Sequence, residues 1–123
     1  MPVDPHTIRT ALVVAPASIW RDALVSLVRA QAQLHVSQVL DTFAAARIVL
    51  AQSAVDVVIA EQGIDEPALL DFIAWLHETR AAVRCIVAVD TQFQQSRYLA
   101  AGAHATLLKG CLDAASLQAA VAG

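Results

Sequence analysis

Short runs of Val, Ile, Leu and Ala alternate along this chain with segments whose apolar residues recur at helical spacing. Ile8–Ala15 (IRTALVVA) predicts a first strand. Ser18 is placed to cap a helix in which Ile19, Trp20, Ala23, Leu24, Leu27 and Val28 recur on the buried side. Leu34–Leu40 predicts a second strand, interleaved with polar residues and therefore nearer a sheet edge. Asp41 or Thr42 starts a helix through Phe43, Ala46 and Leu50, with Ile48 and Val49 as apolar surplus. Val55–Ala60 is a continuous apolar run, the pattern of a strand covered on both faces, and it ends on one acidic residue, Glu61. Asp65 caps a helix with Pro67 in its first turn. That helix carries Leu69, Phe72, Ile73 and Leu76 on one face and leaves Trp75 to one side, partly exposed. Val83–Val89 predicts a fourth strand, Gln92–Ala101 a polar helix closed by Gly102, and His104–Leu108 a fifth strand. Asp113 opens a last, Ala-rich helix that buries Leu117, Ala120 and Val121.

Strands alternating with helices imply right-handed crossovers and a parallel sheet. Five such units predict an α/β, three-layer, doubly wound domain of flavodoxin-like type. Its five-stranded sheet takes the order 2-1-3-4-5, with five helices, and fills residues 1–123 as one domain. In such a sheet, ligands bind beyond the carboxyl ends of the strands. The residues delivered there are Ala15-Pro16-Ala17-Ser18, Glu61-Gln62, Asp90-Thr91 and Lys109-Gly110. Glu61 and Lys109 face each other across the strand ends and are expected to form an ion pair.

Composition narrows the function. With 58% hydrophobic and 15% charged residues the chain is globular rather than disordered. Its net charge of −3, with Arg and Lys scattered, lacks the basic patch of a nucleic-acid binder. No apolar run reaches the roughly 18 residues needed to span a bilayer, and no signal peptide is legible, so a cytoplasmic location is expected. Cys85 and Cys111 fall at opposite ends of the predicted sheet without C-x-x-C spacing, which predicts reduced thiols. His6, His35, His77 and His104 are dispersed and lack ligand spacing. No P-loop, G-x-S-x-G or G-x-G-x-x-G occurs, so no catalytic residue, metal or cofactor is expected.

Three segments carry a resemblance. AGAHATLLKG (Ala101–Gly110), PASIWRDAL (Pro16–Leu24) and VDVVIAE (Val55–Glu61), in that order and spacing, resemble the receiver domain of bacterial response regulators of NarL/FixJ type. The likeness runs from about Ile8 to Val121. It implies that Glu61 stands where the family has its phosphoacceptor Asp. Ala15 and Pro16 stand where the family has the acidic pair that holds Mg²⁺. Val89, or alternatively Thr91, stands at the family's Thr/Ser, and Thr106 at its aromatic switch residue. Lys109 is the retained lysine.

Mg²⁺ needs hard oxygen ligands, and Ala15 and Pro16 offer none. Without a metal, phosphoryl transfer to Glu61 should be severely slowed. The expectation is a pseudo-receiver that works by protein–protein contact, with a homodimer as a natural form. In a transcription factor of this type a DNA-binding half would follow, outside this chain. Glu61 is then either a strand-end acid paired with Lys109 or a partial mimic of a phosphorylated aspartate. The alternative is a sensor that binds a small anion or metabolite in the strand-end cleft near Lys109.

Overall fold

The computed structural model describes residues 8–61, 63 and 65–122. Gln62 and His6, both noted in the sequence, lie outside them. The elements follow in the order β1 (Arg9–Val14), α1 (Ile19–Arg29), β2 (Leu34–Leu40), α2 (Phe43–Gln52), β3 (Val57–Glu61), α3 (Glu66–Thr79), β4 (Arg84–Val89), α4 (Gln92–Ala101), β5 (Ala105–Leu108), a 3₁₀ turn (Lys109–Cys111) and α5 (Ala114–Ala122). The strands pair in parallel in the order β2-β1-β3-β4-β5, as the alternating pattern predicts.

Strand alternation sends successive side chains to opposite faces, and the sheet has a core on each. Leu12, Val14, Val58, Ala60, Val87 and Val89 pack under α2, α3 and α4 with Phe72, Ile73 and Tyr98. Ala11, Val13, Val57, Ile59, Ile86, Ala88 and Leu107 pack under α1 and α5 with Leu24, Val28 and Leu117. The helices begin at polar caps. Ser18 accepts from the Arg21 amide, Thr42 from Ala45 and Asp65 from Ala68. At the other end of the sheet, two arginines satisfy carbonyls that the last turn of α5 leaves without helical partners. Arg9 Nη1 donates to the Val121 carbonyl at 2.9 Å and Arg84 Nε to that of Ala120 at 2.6 Å.

Several expectations shift. Strand β3 starts at Val57 and includes Glu61; just before it, the Asp56 carboxylate accepts from the Thr10 amide at 2.7 Å. Strand β1 ends at Val14, although Ala15 is buried and its amide still donates to the Leu40 carbonyl. Register slips between Ala11 and Leu12, where Ser37 is passed over and its hydroxyl reaches the Ala11 carbonyl at 3.3 Å. On α1, Ile19 (89% exposed) and Ala23 leave the core, whereas Val25 enters it. The helix phase set by Leu24 and Val28 puts Ile19, Ala23, Ser26 and Ala30 on one outward stripe. Trp75 is half-buried as expected, stacked near Phe72 with Arg47 over its ring. Cys85 is buried, Cys111 exposed, and both are free thiols.

Candidate functional site at the carboxyl edge of the sheet

Glu61 is the last residue of β3 and is paired in register with Ala88 of β4. Alternation places it on the side of Val57 and Ile59, beneath α1 and α5. Lys109 opens the 3₁₀ turn directly after β5, which brings its long side chain back over the strand ends. Lys109 Nζ donates to Glu61 Oε1, and the predicted ion pair is present. The pair is largely withdrawn from water: the Glu61 side chain is 9% exposed and that of Lys109 18%. Asp90, just past β4, brings Oδ1 to 3.5 Å from the same ammonium while staying mostly in solvent.

A residue assigned to the core from its spacing completes this centre. Trp20, in the first turn of α1, lies with its ring 5.2 Å from Lys109 Nζ, a cation–π contact. Helical side chains lean towards the N-terminus, so a large residue in the first turn overhangs the strand ends from which the helix starts. That lean, and not apolar periodicity, was the signal that could have found it. Arg21 follows the same logic: its Nη1 donates to the Ala15 carbonyl at 3.0 Å and pins the loop between β1 and α1. Glu61 Oε2 and Trp20 Nε1 are buried and have no hydrogen-bond partner among the described residues.

The remaining predicted positions divide. Ala15 is buried and Pro16 exposed, and neither supplies a side-chain oxygen. Val89 ends β4 and is fully buried in the layer under α4. Thr91 is exposed and precedes the first residue of α4, where Gln94 Oε1 accepts from the amides of both Asp90 and Thr91. Thr106 lines an open groove of about 360 Å³ beside β5, together with Gln95, Cys111 and Ser116. Structure thus gathers Glu61, Lys109, Asp90 and Trp20 into one cluster.

A divalent cation fits this cluster poorly. Mg²⁺ demands near-octahedral oxygen ligation. The available carboxylates, Glu61 and Asp90, follow from different strands and both lie against the Lys109 ammonium. Among the described residues no group of three or more His, Cys, Asp and Glu side chains is arranged to hold a metal. In effect Lys109 is a tethered cation, and Trp20 roofs it.

No protein-family profile and no curated protein sequence matches the chain. Solved structures do. The signal receiver domain of NarL from Mycobacterium tuberculosis superposes with a TM-score of 0.78 at 18% identity, covering 94% of each chain. A LuxR-family two-component response regulator from an Aurantimonas species gives 0.78 at 18% identity over 95% of this chain and 87% of its own. RcsB from Salmonella typhimurium gives 0.79 at 13% identity over 94% of this chain and 60% of its own. The fold is that of the response-regulator receiver domain, in agreement with the resemblance read from the three sequence segments.

Proposed function

We propose that this chain is a signalling domain with a receiver fold that acts through protein–protein contacts and is independent of phosphorylation. The observation that carries the reading is the state of the strand-end centre. Lys109 is ion-paired with Glu61 under Trp20, while Ala15 and Pro16 contribute no metal ligand. Phosphoryl transfer is catalysed by positioning and by cations that neutralise developing charge. Here the cationic charge is already engaged, and the acid at the acceptor position is nine-tenths buried. On this reading the domain is no phosphotransfer enzyme.

Support for contact with other proteins comes from the rim of the same edge. Ile19 begins α1 and Phe93 lies in the first turn of α4, one in each helical layer, and they are 89% and 91% exposed. On this reading the two side chains are apolar surface that a protein partner would cover.

Two measurements test the proposal. Incubation with acetyl phosphate and Mg²⁺, followed by intact mass spectrometry, should leave the protein unmodified; a phosphoryl adduct would overturn the reading. Sedimentation of wild type and Glu61→Gln over a wide concentration range should show a wild-type dimer that weakens in the variant. Unchanged association would uncouple assembly from the strand-end centre and move the contact to outer helix surfaces. A thermal-shift series with small anions and nucleotides addresses the sensor alternative. Since Lys109 is already bound to Glu61, a ligand has to displace that pair, and no shift is expected.

A further inference from the structure

At the opposite end of the sheet, the junction between β4 and β5 is closed by a side chain where a backbone group would ordinarily serve. The His104 amide donates to the Cys85 carbonyl at 2.8 Å, as a parallel ladder requires. The Cys85 amide should then donate to the carbonyl two residues before His104, which belongs to Gly102. Gly102, however, caps α4 in the left-handed conformation (φ 118°), and a helix that terminates there does not continue the ladder. The Cys85 amide donates instead to Nδ1 of the His104 ring, at 2.9 Å. Cys85 is 2% exposed, so its amide has little recourse to water. His104 itself is exposed, so protons have free access to the ring.

We infer that His104 is a proton-sensitive latch that fastens β5 to β4 while its imidazole is neutral and releases the fastening when the imidazole is protonated. The chemistry is that of the acceptor. Nδ1 accepts a hydrogen bond only with its lone pair free, which fixes the neutral ring with its proton on Nε2. Protonation puts a second N–H on Nδ1, aimed at the Cys85 N–H, and the bond becomes a repulsion. Partial burial of the ring lowers the His104 pKa below 6.5, and two further basic groups, Arg84 of β4 and His77 of α3, add to this by disfavouring a positive charge on it. The Cys85 thiol stays neutral, pushed up to about 12 by burial.

Strand β5 is only four residues long, so one lost fastening at its start matters to the whole strand. Its far end leads into Lys109. The inference concerns a different group from the strand-end centre and stands or falls independently of the proposed function.

Amide hydrogen exchange by NMR tests it on wild type, His104→Asn and His104→Ala. Asn places an amide oxygen one bond from Cγ, where His carries Nδ1, and so keeps an acceptor that does not titrate. In wild type, the Cys85 amide protection factor should fall by about tenfold between about pH 7.5 and about pH 5, the loss of one buried hydrogen bond. In His104→Asn it should stay high throughout, and in His104→Ala low throughout. Ring ¹⁵N shifts should show the Nε2–H tautomer of His104 at neutral pH. A wild-type protection factor that is flat with pH would overturn the inference. So would an acid-sensitive His104→Asn, or an Nδ1–H tautomer. Should the Ala variant fail to fold, wild type against Asn and the tautomer decide the matter alone.

Discussion

Glu61 and Lys109 form an ion pair largely withdrawn from water. Each stabilises the other in a place neither would occupy alone. Breaking a buried pair leaves a desolvated charge behind, at a cost of about 3 kcal/mol. Lys109→Met should therefore lower unfolding free energy in urea by that order, and Glu61→Gln in the same background should restore a large part of it. If the single variant costs nothing, the pair is solvated and the tethered-cation account fails. Tyr98 presents the reverse case. Its ring is fully buried in the core under α4, and its hydroxyl has no hydrogen-bond partner among the described residues. A buried hydroxyl without a partner is a penalty that phenylalanine removes. Tyr98→Phe should be neutral or more stable by about 1 kcal/mol in the same denaturation experiment. A clear loss of stability would reveal a partner for the hydroxyl.

Elements were legible where packing follows period. The apolar run of β3 and the Leu69/Phe72/Ile73/Leu76 stripe of α3 announce a sheet covered on both faces, and Ser18 and Asp65 mark helix starts within a residue, while of Asp41 and Thr42 it is Thr42 that caps α2. Glu61 and Lys109 were legible because strand ends deliver their residues to one edge. Helix α1 was misread in part. Ile19 and Ala23 fit an apolar stripe by count, but Leu24, Val25 and Val28 set the phase. Trp20 was placed in the core because periodicity reports which side of a helix a residue is on, not how far its side chain overhangs the end. The contact of His104 is hidden for a similar reason: the sequence shows a lone histidine, and only the left-handed turn at Gly102 takes away the backbone acceptor that its Nδ1 replaces. At the start of α5, Asp113 accepts from the Ser116 amide at 2.7 Å. That bond holds the Asp113 carboxyl below its usual range, so the cap's contribution is complete above pH 3.8 and is lost as pH falls through the lower folded value. Replacing Asp113 by Ala should flatten this acid limb in a series of melting curves.

For the whole molecule, stability should pass over a broad maximum in pH whose two sides have different owners. On the acid side, the unfolded chain protonates His104 before the folded one does, so stability falls as pH drops below 6.5 and is complete above it. On the alkaline side Cys85 ionises from 9.0 in the unfolded chain but only near about 12 in the folded one. Stability should then decline above 9.0 by up to about 1.4 kcal/mol per pH unit. Urea denaturation of Cys85→Ala should reduce the alkaline decline to the part owed to Tyr98, whose hydroxyl burial also raises above 10.0, while keeping the acid limb; an unchanged alkaline decline would show that Cys85 does not contribute to it. The fold shared with receiver domains at 18% identity or less survives because it needs two apolar faces and caps at the right places, not a particular set of strand-end acids. The roof over Lys109 has an optical consequence. The chain has two tryptophans, and one of them rests on the ammonium at the candidate centre while the other lies between α2 and α3. With Trp75 replaced by Phe, the emission of the protein would come from Trp20 alone, so the occupancy of the strand-end centre could be followed by unlabelled fluorescence in real time.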